Sequence, residues 1–591
     1  MTFDLSKPSQ TWSKELNKQQ AEAVKNISGP SIILAGAGSG KTRVLTFKSL
    51  YLIFGHQVSP QNILMVTFTN KAASEMKTRI KQRLGFVGTF HSFCAKVLRV
   101  DGEGIGVPNN FLIYDEADQK QLVEEIIKKK DFEKKFSARY FLEKISSAKN
   151  QLIDENQYPR LFKDSISEKI AMVYREYQKA LMRNKALDFD DLILKCVRLF
   201  MKDNGVLEKY QEKFRYILVD EFHDTNYAQY VLTKYLAEKY KNVTVVGDFS
   251  QSIYSWRGAE IRNLEKFKED FPKAKTFYLE KNYRSTQKIL DFAYEVISKN
   301  QSHPILKLYT TNRQGEEVVI NQSDNEQYEA LFVAYEIQKL ISNGVALESI
   351  AVLYRMNAQS RIIEEAFLHL GIPYILIGGT RFYERREIKD ILSYVRLIVN
   401  PLDEISLKRV LKIGKKRFEN FKKLKNQIRE LETVKIIDKI LQKTEYLGLF
   451  NEKDPEDLAR LENVKELRSV AIIFPKVNDF LEQVALVESE YSESEKKQKN
   501  RHGAYMMTLH QAKGLEFPYV FIVGLEEGIL PHSRSFYDLF DLEEERRLFY
   551  VGLTRAKEKL YITHTKKRFL FGRHSQSVVS RFLEENNNEF F

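Results

Sequence analysis

Cysteine is nearly missing from this chain: its 591 residues hold two, Cys94 and Cys196, far apart in sequence. That scarcity excludes a disulfide framework and thiolate metal spacings, and reduced thiols in a reducing compartment are the simplest reading. No apolar run approaches the ~18 residues of a membrane span, so no membrane contact is expected. Residues 1–10 carry polar side chains and an acid where a signal peptide needs an apolar core, so a cytoplasmic protein is expected. Tryptophan is limited to two, yet 43% hydrophobic and 12% aromatic content supports packed cores and excludes extensive disorder. Acids are outnumbered, 80 Asp and Glu against 93 Lys and Arg, and the net charge of +13 favours a polyanionic partner. A solvated basic surface accounts for the same charge, so composition leaves nucleic acid open. The length exceeds what a single core accommodates, and several domains are expected.

What is present centres on residues 31–43, S-I-I-L-A-G-A-G-S-G-K-T-R. The apolar run Ile32, Ile33, Leu34 reads as a buried strand, and Gly36, Gly38 and Gly40 follow it. Glycines there let the backbone turn tightly and aim N–H groups at an anion. Ala35, Gly36, Ala37, Gly38, Ser39 and Gly40 form the phosphate loop, Lys41 reaches the outer phosphates, and Thr42 is a candidate Mg²⁺ ligand at the start of a helix. The loop departs from G-x-x-x-x-G-K-[ST] only in Ala35, a residue small enough for the turn. A triphosphate site is thus expected, without saying what its energy drives.

Residues 16–24 read as a short amphipathic helix that places Gln20 near an adenine edge. Residues 62–68 (N-I-L-M-V-T-F) are a second buried strand leading into a helix over 67–79, with Phe68 and Asn70 where open α/β sheets put ligand contacts. Residues 88–93 (G-T-F-H-S-F) repeat the pattern and set His91 between aromatics. From about 101 to 187, Lys- and Glu-rich helical stretches replace strands, and residues 187–192 (L-D-F-D-D-L) return with Phe189 among three acids. Residues 216–226 (Y-I-L-V-D-E-F-H-D-T-N) end a strand in two carboxylates. Asp220 suits a hard Mg²⁺ ion, and Glu221 is placed to orient or deprotonate the attacking water. After a strand at 243–248, Gln251 can sense the γ-phosphate, while Tyr254 and Trp256 offer flat faces. Core packing and base stacking both account for Phe68, Tyr254 and Trp256 at this point. Tyr283 can stack on adenine, and Arg284 can neutralise charge developing on the γ-phosphate.

A second α/β unit begins near Gln287, with strands expected at 318–320, 349–355, 373–378, 505–508, 519–523 and 560–563. Residues 382–500 are again helical and charged, with a basic stretch over 408–425 and a flexible linker expected at 492–501. A helix over 543–560 carries Arg555.

Eight or so ordered stretches carry a resemblance that covers nearly the whole chain: L-N-K-Q-Q, A-G-A-G-S-G-K-T-R, T-F-T-N-K-A-A, G-T-F-H-S-F, D-E-F-H-D-T-N, G-D-F-S-Q-S-I-Y-S-W-R-G-A, N-Y-R-S, and H-Q-A-K-G-L-E-F with V-G-L-T-R-A-K-E-K-L. They resemble the superfamily-one DNA helicases of the UvrD/Rep/PcrA kind. The resemblance implies an α/β fold of two RecA-like motor domains made of parallel sheets flanked by helices. It implies domain 1A at 1–100 and 188–285, insertion 1B at 101–187, domain 2A at 286–380 and 503–591, and insertion 2B at 381–502. It assigns ATP contacts to Gln20, Arg43, Tyr283 and Glu516 beside the phosphate loop, and γ-phosphate contacts to Gln251, Arg284 and Arg555, the last two as arginine fingers. DNA contacts fall on Phe68, Asn70, His91, Phe189, Tyr254, Trp256, Arg355, Asn357 and His510. ATP and Mg²⁺ are the implied cofactors. The implied partners are single-stranded DNA, single-/double-strand junctions and unidentified repair or replication proteins, with the chain a monomer or weak dimer and 3′→5′ polarity.

Three departures stand out. His223 occupies a position usually held by Gln, and an imidazole, whose ordinary pKa is near ~6.5, makes ATP turnover there sensitive to pH. Ser250 replaces an acid common in the family. The stretch matching 2B looks short, and little follows Arg568. Competing readings are a helicase–nuclease, which needs a carboxylate-rich nuclease domain that the chain is expected to be too short to hold, a nucleotide-gated translocase that remodels protein–DNA complexes without unwinding, and RNA as the track.

Overall fold

Short apolar runs such as residues 32–34, 64–66 and 217–219 suit strands covered on both faces, the condition of a parallel sheet. The computed structural model describes residues 15–132, 136–428, 430–452, 454–497, 502–570 and 572–585. It divides the chain into two units, Met1–Tyr283 with Gln301–Thr311, and Arg284–Asn300 with Asn312–Phe591. Residues 1–10, on which the signal-peptide reading rests, lie outside the described residues. Among those described, no helix is long and apolar enough to cross a membrane.

In the first unit, β1 (Ser31–Ala35), β2 (Ile63–Thr67), β3 (Phe86–Thr89), β4 (Tyr216–Val219), β5 (Val243–Gly247) and β6 (Lys275–Leu279) form one sheet. The order is β3-β2-β4-β5-β1-β6, and every pair is parallel. Strand β6 was not anticipated: it is an edge strand with Lys275 and Tyr278 exposed, so it lacks the apolar run of its neighbours. Helices α1 (Lys18–Lys25), α2 (Lys41–Leu50), α3 (Asn70–Ile80) and α4 (Phe90–Asp101) alternate with the first strands. The helical stretch follows as α5 (Glu116–Lys129), α6 (Ala138–Asn150) and α7 (Ser165–Arg183), built on Phe141, Ile145, Tyr174 and Tyr177 at helical spacing. A two-residue parallel ladder, Leu112–Ile113 with Ala186–Leu187, draws its ends together before α8 (Phe189–Lys202) and α9 (Tyr227–Ala237). Cys94 on α4 and Cys196 on α8 are free thiols in the core, where burial, with Cys196 beside it, pushes the Cys94 thiol well up.

In the second unit, β7 (Val319–Ser323), β8 (Ile350–Tyr354), β9 (Tyr374–Leu376), β10 (Ala504–Thr508), β11 (Phe517–Ile522) and β12 (Ala556–Thr565) form a sheet ordered β7-β12-β11-β8-β10-β9, again all parallel. Helices α10 (Arg386–Val399) and α11 (Pro455–Ile473) belong to its helical stretch, and α12 (Leu539–Leu553) precedes β12. Two expectations are corrected. The helix read over 543–560 ends at Leu553, so Arg555 sits in the turn before β12. Thr554 and Arg555 end it themselves: Thr554 Oγ1 donates to the carbonyls of Tyr550 and Val551, and Arg555 Nε to that of Val551. The linker read at 492–501 begins inside a helix, Val477–Lys497, and its last residues, 498–501, lie outside the described residues. An antiparallel hairpin, Lys567–Leu570 with Arg573–Gln576, was not foreseen.

Candidate functional site

Three adjacent strands of the first sheet, β4, β5 and β1, end beside one another and carry the candidate phosphate-binding and hydrolytic residues. Ala35 closes β1, paired with Leu279, in a position that asks nothing of a glycine. Gly38 and Gly40 take left-handed φ of 64° and 86°, and Gly40 caps α2, whose first residues are Lys41 and Thr42. The loop is braced from several sides: Ser39 Oγ donates to Gly36 O at 2.8 Å, Asn282 Nδ2 to Ala37 O at 2.7 Å, and Tyr283 N–H to Gly38 O at 3.0 Å. At Gly36 a Cβ would lie 2.3 Å from the Leu308 side chain of the returning segment 301–311, which would have to shift to admit it.

Thr42 Oγ1 donates to Asp220 Oδ2 at 3.2 Å. Burial, and the charge of Glu221 beside it, push the Asp220 carboxyl up to about 7 against the pull of Lys41. A buried carboxylate that resists ionising, next to a hydroxyl at a helix N-terminus, is a donor pair that fits Mg²⁺ carried on phosphates. Among the described residues no cluster of three or more His, Cys, Asp or Glu could hold a metal by itself, so the phosphates would complete that ion's coordination. Glu221 adopts a left-handed φ of 50°, a strained backbone for a residue with a Cβ. Its Oε2 lies 3.8 Å from Lys41 Nζ, buried without a hydrogen-bond donor, as a general base for water requires. Gln251 Nε2 donates to Asp248, whose own N–H donates to His223 Nδ1 at 3.2 Å. His223 is therefore an acceptor at Nδ1, a role that protonation abolishes. Ser250 Oγ lies 3.1 Å from His303 Nε2, a partner that the sequence did not disclose.

Around this loop, Gln20 accepts the Asn17 N–H and donates to Ser39 O at 2.9 Å, closing the capping box of α1. The Tyr283 ring is 48% exposed and its hydroxyl accepts from Asn17 Nδ2 at 2.9 Å, so Gln20 and Tyr283 flank Asn17. Arg43 is paired with Glu15 at 3.1 Å.

The same edge carries the aromatic candidates. Phe68, after β2, stacks on Tyr254, after β5, with centroids 5.9 Å apart, and Trp256, 49% exposed, meets Tyr254 edge-on at 6.4 Å. His91, at the start of α4, meets Phe189, at the start of α8, at 5.8 Å. Burial lowers the His91 pKa. Asn70 opens α3 and is exposed. Aromatic and polar groups thus line the C-terminal edge of one sheet, where open α/β sheets take ligands.

The second unit divides its candidates between two edges. Arg355 and Asn357 follow β8 and His510 follows β10, all at the C-terminal ends of parallel strands. Arg355 is held by Glu545 through Nε and Nη2, at 3.0 and 2.7 Å; burial opposes the charge of each, and each outweighs it for the other. The Asn357 carbonyl accepts from Arg385 at 3.0 Å. Glu516 and Arg555 instead precede β11 and β12, at the N-terminal edge. Arg284 joins them: it donates to Glu516 Oε2 at 2.8 Å and to Thr554 O at 3.0 Å. Burial would raise the Glu516 carboxyl, but Lys557 and Arg284 hold it below its ordinary value. Arg555 is only 2% exposed and spends its guanidinium on Val551 O, Leu515 O and Thr554 Oγ1.

Comparison with known proteins matches residues 16–272 to the UvrD/REP helicase N-terminal domain, and residues 277–468 and 417–567 to the UvrD-like helicase C-terminal domain. The chain is 43% identical over 630 residues to a Bacillus subtilis protein named ATP-dependent DNA helicase PcrA, covering 96% of this chain and 85% of that one. Proteins of the same name from Staphylococcus epidermidis and Staphylococcus aureus are 42% identical, over 97% and 96% of this chain and 86% of each relative. With its P-loop, its Asp–Glu pair and this similarity along nearly its whole length, the chain belongs to the UvrD/REP helicase family.

Proposed function

We propose that the chain is an ATP-driven DNA helicase that moves 3′→5′ along single-stranded DNA and parts duplexes at single-/double-strand junctions, in repair or replication. The observation that carries this is the convergence of Lys41, Thr42, Asp220, Glu221 and Gln251 at three neighbouring strand ends, beside an edge bearing Phe68, Tyr254 and Trp256. In this reading residues 101–187 and 381–502 are insertions into two motors formed by 1–100 with 188–285 and 286–380 with 503–591.

Gln20 reads the adenine edge, Tyr283 stacks on the base, and Arg43 and Glu516 steady the nucleoside. Backbone N–H groups of residues 36–40 and the Lys41 ammonium hold the phosphates. Magnesium, when bound, would be held by Thr42 and Asp220 and would neutralise charge on the phosphate oxygens. Glu221 takes the proton of the water that attacks the γ-phosphorus, and Gln251 answers the presence of that phosphate. Arg284 and Arg555 neutralise the charge that develops on it. Loss of the γ-phosphate removes the charge that these arginines answer, the local event from which a nucleotide-dependent step along the bases is built.

Strand displacement on 3′- and 5′-tailed duplexes tests the reading. Wild type is expected to displace the strand from the 3′-tailed substrate only, with ATP. Glu221→Gln is expected to bind ATP and lose turnover by about a hundredfold or more, together with displacement. DNA-stimulated ATP hydrolysis without displacement would instead support a translocase that does not unwind.

A further inference from the structure

The last two residues of α6, Lys149 and Asn150, lie in the helical stretch and are buried. The Lys149 ammonium sits 2.6 Å from Asp188 Oδ2 and 3.0 Å from Asp191 Oδ1. These two carboxylates form the capping box that starts α8. Tyr177 OH donates to the same Asp188 oxygen at 2.9 Å, and Gln178 Nε2 to Asp191 Oδ1 at 2.8 Å. Phe189 stands between the two pinned carboxylates as the first residue of α8, 49% exposed. A cation buried among partners this well placed contributes little net stability but fixes one arrangement of the groups around it. Here that arrangement is the turn that presents Phe189 beside His91.

Asn150 makes contact elsewhere. Its Oδ1 accepts the Nδ2–H of Asn226 at 2.7 Å. The polarity of that bond is set from the far side, because Asn226 Oδ1 accepts the Gln229 N–H as the N-cap of α9. Asn226 closes the loop that opens with Asp220 and Glu221. Gly258, two residues beyond Trp256, packs on the same amide: a Cβ there would lie 3.3 Å from Asn150 Nδ2. One helix end thus touches the Phe189 turn, the loop behind the hydrolytic carboxylates and the segment behind Tyr254 and Trp256.

We propose that the C-terminal end of α6 couples the two sites of the first unit, with Lys149 and Asn150 as positioning residues that pass occupancy at Phe189 and Trp256 to the loop bearing Asp220 and Glu221. Neighbouring residues of one helical turn share its hydrogen-bonded backbone, which gives a shift of the Phe189 turn, carried by Lys149, a route to the partner of Asn226. The inference rests on the DNA helicase reading above.

The test uses the full chain, with oligo(dT) as probe, and reads ATP turnover without DNA, turnover at saturating DNA, and DNA affinity by fluorescence anisotropy. Asn150→Leu is expected to leave DNA-free turnover and affinity within about threefold of wild type and to cut DNA stimulation by about tenfold, within the usual span of coupling energies. Asn150→Asp keeps the accepting oxygen and is expected to retain stimulation within about threefold of wild type. Lys149→Met is expected to weaken oligo(dT) binding about fivefold or more and to add nothing to Phe189→Ala. Wild-type stimulation in Asn150→Leu, equal loss in the Leu and Asp variants, or multiplying defects of Lys149→Met and Phe189→Ala would each overturn the proposal. If Lys149→Met does not fold, the two Asn150 variants decide. A wild-type protein that DNA does not stimulate would overturn the helicase reading itself.

Discussion

A lysine with carbonyl oxygens for company lies on the far side of the P-loop helix. Lys48 Nζ donates to Ala23 O at 3.2 Å and Asn26 O at 2.6 Å, closing the C-terminal end of α1, and among the described residues no carboxylate pairs with it. Burial pulls its pKa down to about 7. In the unfolded chain it titrates near ~10.4, so between those values the unfolded state holds the extra proton and stability rises with pH. Below about 7 both states are charged, and the folded one bears the whole penalty. Lys48→Met is therefore expected to flatten the rise in unfolding free energy between pH 7 and 10 by up to ~1.4 kcal/mol per unit. Denaturant titrations at several pH values check it, and parallel profiles for the two proteins would count against it. Lys48 was not legible in the sequence, where it is one more cation on a helix. Lys41, in contrast, was marked by its place after Gly40, because phosphate chemistry dictates the residue and its spacing.

Elements were legible where one requirement dominated and illegible where two competed. Strands β1, β2 and β4 announce themselves as apolar runs, whereas residues 543–560 continue a helical pattern whose one glycine, Gly552, lies inside the helix and does not mark its end. Tertiary pairing decides there: β12 is held between β7 and β11, which claims residues from Ala556 onward. Long-range polar contacts were equally hidden. Helix α11 is fixed to the sheet-bearing part of its unit by Glu466, which takes two bonds from the buried Arg361 at 2.9 and 2.6 Å, while Asn463 accepts from Arg385 at the start of α10 at 2.7 Å. Without Glu466 the buried Arg361 keeps Glu365 as its carboxylate partner but loses two bonds, so Glu466→Ala is expected to destabilise this unit by ~1–3 kcal/mol. Glu404→Ala, from an exposed pair with Lys408, is expected to change stability by less than ~0.5 kcal/mol. Chemical denaturation of both variants makes the comparison, and equal losses would argue that the Arg361 contact is not buried in solution.

At the scale of the molecule, two parallel sheets use their edges differently. The first unit gathers nucleotide and aromatic candidates along one edge. The second separates Arg355, Asn357 and His510 from Arg284, Glu516 and Arg555 by the length of its strands, ~20 Å for a six-residue strand such as β11. The sequence named these residues by motif but held no sign of which edge each occupies, because strand direction and order are properties of the assembled sheet. A track gripped through its backbone leaves a thermodynamic trace. With a formal charge of +13, binding of oligo(dT) is expected to weaken with salt, with a log–log slope of about −0.7 for every phosphate neutralised. Anisotropy titrations across a salt series measure it, and a slope near zero would leave stacking alone to hold the strand.

The returning segment 301–311 has a practical consequence. Leu308 fills the space over Gly36, and His303 engages Ser250, so the loop after β1 and the turn after β5 both lean on residues beyond Tyr283. A fragment cut at that tyrosine would keep every recognisable ATP motif of the first unit and still lose the floor beneath them. Dissecting this protein into working halves therefore calls for a graft of that short strap, not a single clean cut.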